Sequence, residues 1–109
     1  MKMKKKILVV EDNLILCDIL ERWLLKAGYE VMTAADEPSA RGKIKKHETA
    51  LVLTDVRLPE GDGISLLEWS VRQKQFIPFV VMTEYASIAD AVRAVKLGAK
   101  DYLPKPVYE

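Results

Sequence analysis

Five positions carry most of the chemistry in this sequence: Glu11 and Asp12 after the run ILVV, Asp55 after LVLT, Thr83 after VVM, and Lys105 in LPKP. Each follows a short aliphatic run, so all five are expected at strand ends. Three carboxylates brought within a few ångströms repel one another and raise one another's pKa unless something positive sits among them. An all-oxygen set suits a hard cation such as Mg2+, and the lack of nearby His or Cys argues against zinc. Mg2+ keeps part of its water and commonly binds one or two carboxylates together with phosphate oxygens, so a phosphate site is implied. Lys105 is a point charge suited to a phosphoryl oxygen, and the Thr83 hydroxyl can donate to another. A carboxylate can itself take the phosphoryl group as an acyl phosphate. Asp55, followed by the tight loop DVRLPEGDG, is the best-placed acceptor.

The elements that must position these residues alternate along the chain. Ile7 to Val10 is a continuous aliphatic run; Leu14 to Ala27 then changes to helical spacing, with Leu16, Leu20, Trp23 and Leu24 on one face and Gly28 as the stop. Tyr29 to Ala34 reads as a second strand and Ser39 to Lys46 as a helix weakened by Gly42. Leu51 to Thr54 is a third strand, and Asp62 caps a helix carrying Ile64, Leu67, Trp69 and Val71. Ile77 to Thr83, Ser87 to Leu97 closed by Gly98, and Lys100 to Pro104 complete a strand, a helix and a strand. Strands that are apolar nearly end to end, joined through amphipathic helices, predict a doubly wound α/β fold with a five-stranded parallel sheet. Right-handed crossovers place every strand's carboxyl end on one edge of the sheet, where ligands bind in such folds.

Composition narrows the classes of function. With 109 residues the chain is expected to be one domain, half hydrophobic and 30% charged, the balance of a soluble globular protein. Seventeen basic against sixteen acidic residues leave a net charge of +1, which argues against nucleic-acid binding by this domain. The stretch MKMKKKILVVED is too briefly apolar for a secretory or membrane-spanning segment, so a cytoplasmic setting is expected. Cys17 is expected in the core, Trp23 and Trp69 as packing residues, and His47 and the basic run RGKIKKH on a solvated face.

Together ILVVEDN, LTDVRLPEGDG, VVMT and DYLPKP resemble the receiver domain of two-component response regulators over nearly the whole chain. The resemblance implies a flavodoxin-like strand order 2-1-3-4-5. It implies that Asp55 accepts a phosphoryl group from a histidine of a partner sensor kinase, in a regulatory and not a metabolic role. Asp12, Asp55 and the backbone carbonyl of Arg57 would hold Mg2+, with Glu11 acting through water. Lys105 would bind the phosphoryl group, its bond to Pro106 being cis in the family. Thr83 would turn toward the phosphoryl oxygen and Tyr102 would be the aromatic switch residue, shifting the face around the fourth helix and fifth strand. Pairing of two copies through that face is common in the family. More loosely, MTEYASIADAVRAVKLGAKDYLPKP resembles NtrC-type receivers attached to ATP-dependent activators of the alternative sigma factor. An ATPase and a DNA-binding effector domain would then lie in a longer parent chain, with residues 1–109 the receiver alone.

Three departures qualify the resemblance. Glu84 stands where the family generally has a small residue, and a carboxylate turned inward there opposes an incoming phosphate, although one pointing to solvent is largely screened. Tyr85 and Arg57 occupy positions that modulate loss of the phosphoryl group, and Tyr85 is expected to shield it from water. The sequence stops at Val107-Tyr108-Glu109, where a fifth helix should start, so that helix is expected to be missing or truncated, with lower stability or association through the uncovered flank. Rival functions remain. A receiver acting only as a docking surface would be favoured by Glu84 and the missing helix. A phosphatase of the haloacid dehalogenase type would need an acid where Arg57 stands and a cap domain besides. An FMN carrier would need a Gly-rich phosphate loop where Glu11-Asp12-Asn13 stands.

Overall fold

The computed structural model describes residues 4–84 and 87–105. Five strands and four helices alternate: β1 Lys6–Val10, α1 Leu14–Lys26, β2 Glu30–Ala34, α2 Glu37–Lys46, β3 Leu51–Asp55, α3 Gly63–Arg72, β4 Phe79–Thr83, α4 Ile88–Lys96 and β5 Asp101–Pro104. The strands form one parallel sheet in the order β2-β1-β3-β4-β5. Side chains alternate across each strand. On one face Leu8, Val10, Val52 and Phe79 pack with Ala40 and Ile44 of α2 and Leu66 and Leu67 of α3. On the other Ile7, Val9 and Met82 meet Cys17 and Leu20 of α1, with Trp23 and Leu24 beside them. A third group, Val56, Ile64, Val81 and Ala94, fills the space under α3 and α4. No helix among the described residues is long and apolar enough to cross a membrane.

Several element ends differ from the sequence reading. α2 starts two residues before Ser39, because Asp36 accepts from the Ser39 N–H and Pro38 sits in the first turn, where its missing N–H costs nothing. β4 starts at Phe79 and not at Ile77: Pro78 offers only its carbonyl, to Val52 N–H, and the Ile77 N–H turns back to Gln75. β2 starts at Glu30, since the Tyr29 N–H closes the end of α1 on Leu24. Val71, expected on the buried face of α3, is exposed; Ile64, Leu66, Leu67 and Ser70 form that face instead. Gly28 and Gly98 end α1 and α4 at positive φ as expected, whereas α3 ends on Lys74 at φ 56°. Cys17 is buried, Trp23 and Trp69 pack against the core, and His47 is exposed. Tyr85, Pro106 and the Val107–Glu109 end lie outside the described residues, as do the expectations placed on them.

Candidate functional site

The crossovers bring the five chemically capable residues to the carboxyl edge of the sheet. β1 is central and buried on both faces, and it delivers Glu11 directly after Val10, held by a hydrogen bond from Glu11 N–H to the Ala34 carbonyl at 2.9 Å. Glu11 is only 1% exposed; Asp12 beside it is exposed. β3 ends on Asp55, 7% exposed. One carboxylate oxygen from each of Glu11, Asp12 and Asp55 can be chosen so that all three lie within 4.8 Å of one another. Lys105, carried past β5 by its N–H bond to the Thr83 carbonyl at 2.8 Å, places Nζ 2.8 Å from Asp55 Oδ2 and 2.6 Å from Glu11 Oε1. Lys105 thus bridges the Glu11 and Asp55 carboxylates.

Electrostatics follow from that geometry. Burial pushes the Glu11 carboxyl above its ordinary range, against the pull of Lys105 and of the Asn13 N–H, and the Asp55 charge adds to the rise. Burial alone would lower the Lys105 ammonium, but the Asp55 and Glu11 carboxylates outweigh it and the net shift is upward. Lys105 is therefore a permanent cation among acids. The acids and the ammonium line an open pocket of about 230 Å3 with Asn13, Arg57 and Glu84. Three carboxylates, no nitrogen or sulfur ligand, and an open side form a donor set that fits a hard divalent cation.

Thr83 is buried at the end of β4, next to this pocket. Arg57 is exposed on the loop after β3, its N–H reaching toward Asp55 Oδ1 at 3.4 Å. Glu84 is exposed and is among the residues that line the pocket. Tyr102 is half-buried against the Val56, Ile64, Val81 and Ala94 group, and its hydroxyl is buried with no protein partner among the described residues.

Three further residues shape the site: Asn13 and Glu37, which sequence reasoning overlooked, and Gly63, which it noted only as part of the LPEGDG pattern. Asn13 caps α1, its Oδ1 accepting from the Ile15 and Leu16 N–H groups, while its own N–H donates to Glu11 Oε2 at 3.0 Å. An Asn immediately before a helical apolar pattern is the signal that could have found it. Gly63 opens α3 so close to β3 that a Cβ there would lie 2.1 Å from the Asp55 carbonyl oxygen and 2.7 Å from Thr54 Oγ1. Glu37, 5% exposed, reaches from α2 to the loop after β3 and accepts from the Asp62 N–H at 3.0 Å. Nothing in its spacing announces that contact, which spans 25 residues.

A doubly wound parallel sheet whose carboxyl edge gathers three acids and a buried lysine defines a flavodoxin-like domain. Comparison with known proteins narrows this further. The profile described as the response regulator receiver domain matches residues 7–109, and the chain belongs to that family. The transcriptional regulatory protein ZraR of Escherichia coli is 42% identical over 101 residues, a match covering 93% of this chain and 23% of ZraR. The receiver domain protein (CheY-like) of Methanospirillum hungatei superposes with a TM-score of 0.92 at 33% identity, covering 97% of this chain and 85% of that one. A response regulator of Burkholderia pseudomallei, solved with a phosphorylated aspartic acid, calcium ion and citrate, superposes with a TM-score of 0.86 at 35% identity, covering 96% and 62%. The chain spans less than half the length of the curated transcriptional regulators it matches.

Proposed function

We propose that this domain is a phosphorylation-dependent switch in which Asp55 takes a phosphoryl group from a histidine of a partner sensor kinase. The observation that carries the reading is the buried Asp55 carboxylate, 2.8 Å from Lys105 Nζ and clustered with the Glu11 and Asp12 acids beside an open pocket. A carboxylate oxygen of Asp55 attacks phosphorus, the P–N bond to the histidine breaks, and the imidazole leaves with the electron pair. Asp12, Asp55 and the Arg57 carbonyl would hold Mg2+, with Glu11 through water, and the ion would neutralise charge on the phosphoryl oxygens. Lys105 exchanges its Asp55 contact for a phosphoryl oxygen, and Thr83 donates its hydroxyl to another. The phosphorylated Burkholderia relative supports this chemistry.

Tyr102 pairs in register with Val81 and packs against the cluster that contains Ala94 of α4, so movement of Thr83 at the end of β4 is read out at α4 and β5. That face controls an output domain in a longer, cytoplasmic parent chain, and pairs with a second copy on activation. The similarity to ZraR favours an NtrC-type parent with ATPase and DNA-binding domains, and transcriptional output. Glu84 at the pocket mouth favours a second reading, a receiver that docks without phosphorylation. Beryllium fluoride with Mg2+, which stands in for a phosphoryl group on aspartate, distinguishes them. Amide resonances of α4 and β5 shift under the first reading; a spectrum unchanged beyond the pocket supports the second.

A further inference from the structure

The loop that leaves Asp55 is closed on itself by pairing between Arg57 and Asp62 and by the Gly63 N–H bonded to the Val56 carbonyl at 2.9 Å. Its far end is tied to a different element. The Glu37 N–H donates to the Glu60 carbonyl at 3.0 Å, and Glu37 Oε1 accepts from the Asp62 N–H at 3.0 Å. Gly61, at φ +82°, lies flat against the Glu37 side chain; a Cβ there would come within 2.3 Å of Oε1. Glu37 Oε2 accepts from Arg41 one turn along α2, and the Arg41 guanidinium stacks over Trp69 of α3, 5.1 Å from the ring centroid. A buried carboxylate is retained at such a position only when it is paired and hydrogen-bonded, and Glu37 is both.

We infer that Glu37 is a positioning residue for the cation site: by holding the Glu60–Asp62 end of the loop, it fixes where the Arg57 carbonyl stands relative to Asp55. This rests on the reading of Asp55, Asp12 and the Arg57 carbonyl as Mg2+ ligands, and assigns to α2 a part in their alignment. Arg41 and Trp69 hold the Glu37 carboxylate in turn, so the α2–α3 side of the sheet is coupled to the affinity of the pocket.

The test is calorimetric titration of the unphosphorylated protein with Mg2+ alone, with amide exchange of Asp62 measured in metal-free buffer. Glu37→Ala is expected to weaken Mg2+ binding about tenfold, the order of one charge-assisted hydrogen bond, and to speed Asp62 exchange. Glu37→Gln keeps an acceptor for the Asp62 N–H and is expected to restore both to within about twofold of wild type. Should Glu37→Ala not fold, Glu37→Asp, one methylene short of Asp62, carries the same expectation. Wild-type affinity in a folded Glu37→Ala or Glu37→Asp variant overturns the inference while leaving the site reading intact. Absence of Mg2+ binding to the wild type itself overturns the site reading, and this inference with it.

Discussion

Replacing Lys105 with methionine is the perturbation that most exposes the electrostatics of the pocket. The Lys105 side chain is 5% exposed, and its two partners, Glu11 and Asp55, are 1% and 9% exposed, so neither acid has much water to fall back on. Removing one partner from a buried pair costs about 3–5 kcal/mol, because the remaining charge stays buried without compensation. Here two carboxylates are stranded, while Met preserves most of the volume. We expect Lys105→Met to lose about 3 kcal/mol at pH 8 without divalent cations, which for 109 residues lowers Tm by roughly 13 °C. The loss should shrink on acidification. A carboxyl whose folded-state pKa lies above its unfolded value contributes stability that is fully present below the unfolded value and is lost as the pH rises through the folded one. Burial already raises Glu11, and losing Lys105 raises it further, so the deficit should narrow as the pH falls through the raised Glu11 value. Millimolar Mg2+, which should bind the folded variant more tightly than wild type once the competing ammonium is gone, should also recover part of it. Urea denaturation at pH 8 and pH 5.5, with and without Mg2+, measures all three effects, and Lys100→Met, at an exposed position, serves as the control. A Lys105→Met protein as stable as wild type at pH 8, or a loss equal at both pH values, would refute the reasoning.

Two further outcomes follow from packing next to the site. Tyr102→Phe deletes a buried hydroxyl without a protein partner among the described residues, so stability should rise by roughly 1 kcal/mol; a loss of that size in urea denaturation would mean the hydroxyl is satisfied after all. Gly63→Ala sets a methyl 2.1 Å from the Asp55 carbonyl oxygen and must push back β3 or α3, so a loss of about 2 kcal/mol is expected, with slower phosphorylation; an unperturbed midpoint would show that the α3 start yields freely.

The sheet and its functional edge were legible because β1, β3 and β4 are largely apolar runs that lead directly into Glu11-Asp12, Asp55 and Thr83. Glu11-Asp12, Asp55, Thr83 and Lys105 are brought to one edge for that reason, and Asp62 caps α3 as its spacing implied. What was not legible depends on contacts distant in sequence. Glu37 looks like an ordinary acidic first-turn residue, and only the approach of Gly61 and Asp62 buries it. Val71 is exposed because α3 buries Ile64, Leu66, Leu67 and Ser70, one of two overlapping stripes that the helical spacing allows.

The most direct test of the account is the intact mass of the protein after incubation with acetyl phosphate and Mg2+, wild type beside Asp55→Asn. The account expects a Mg2+-dependent gain of one phosphoryl group in the wild type and none in the variant. A gain that persists in folded Asp55→Asn, or no gain in a folded wild type that binds Mg2+, would contradict it; the second result would leave a docking domain and make Glu84 the first residue to change.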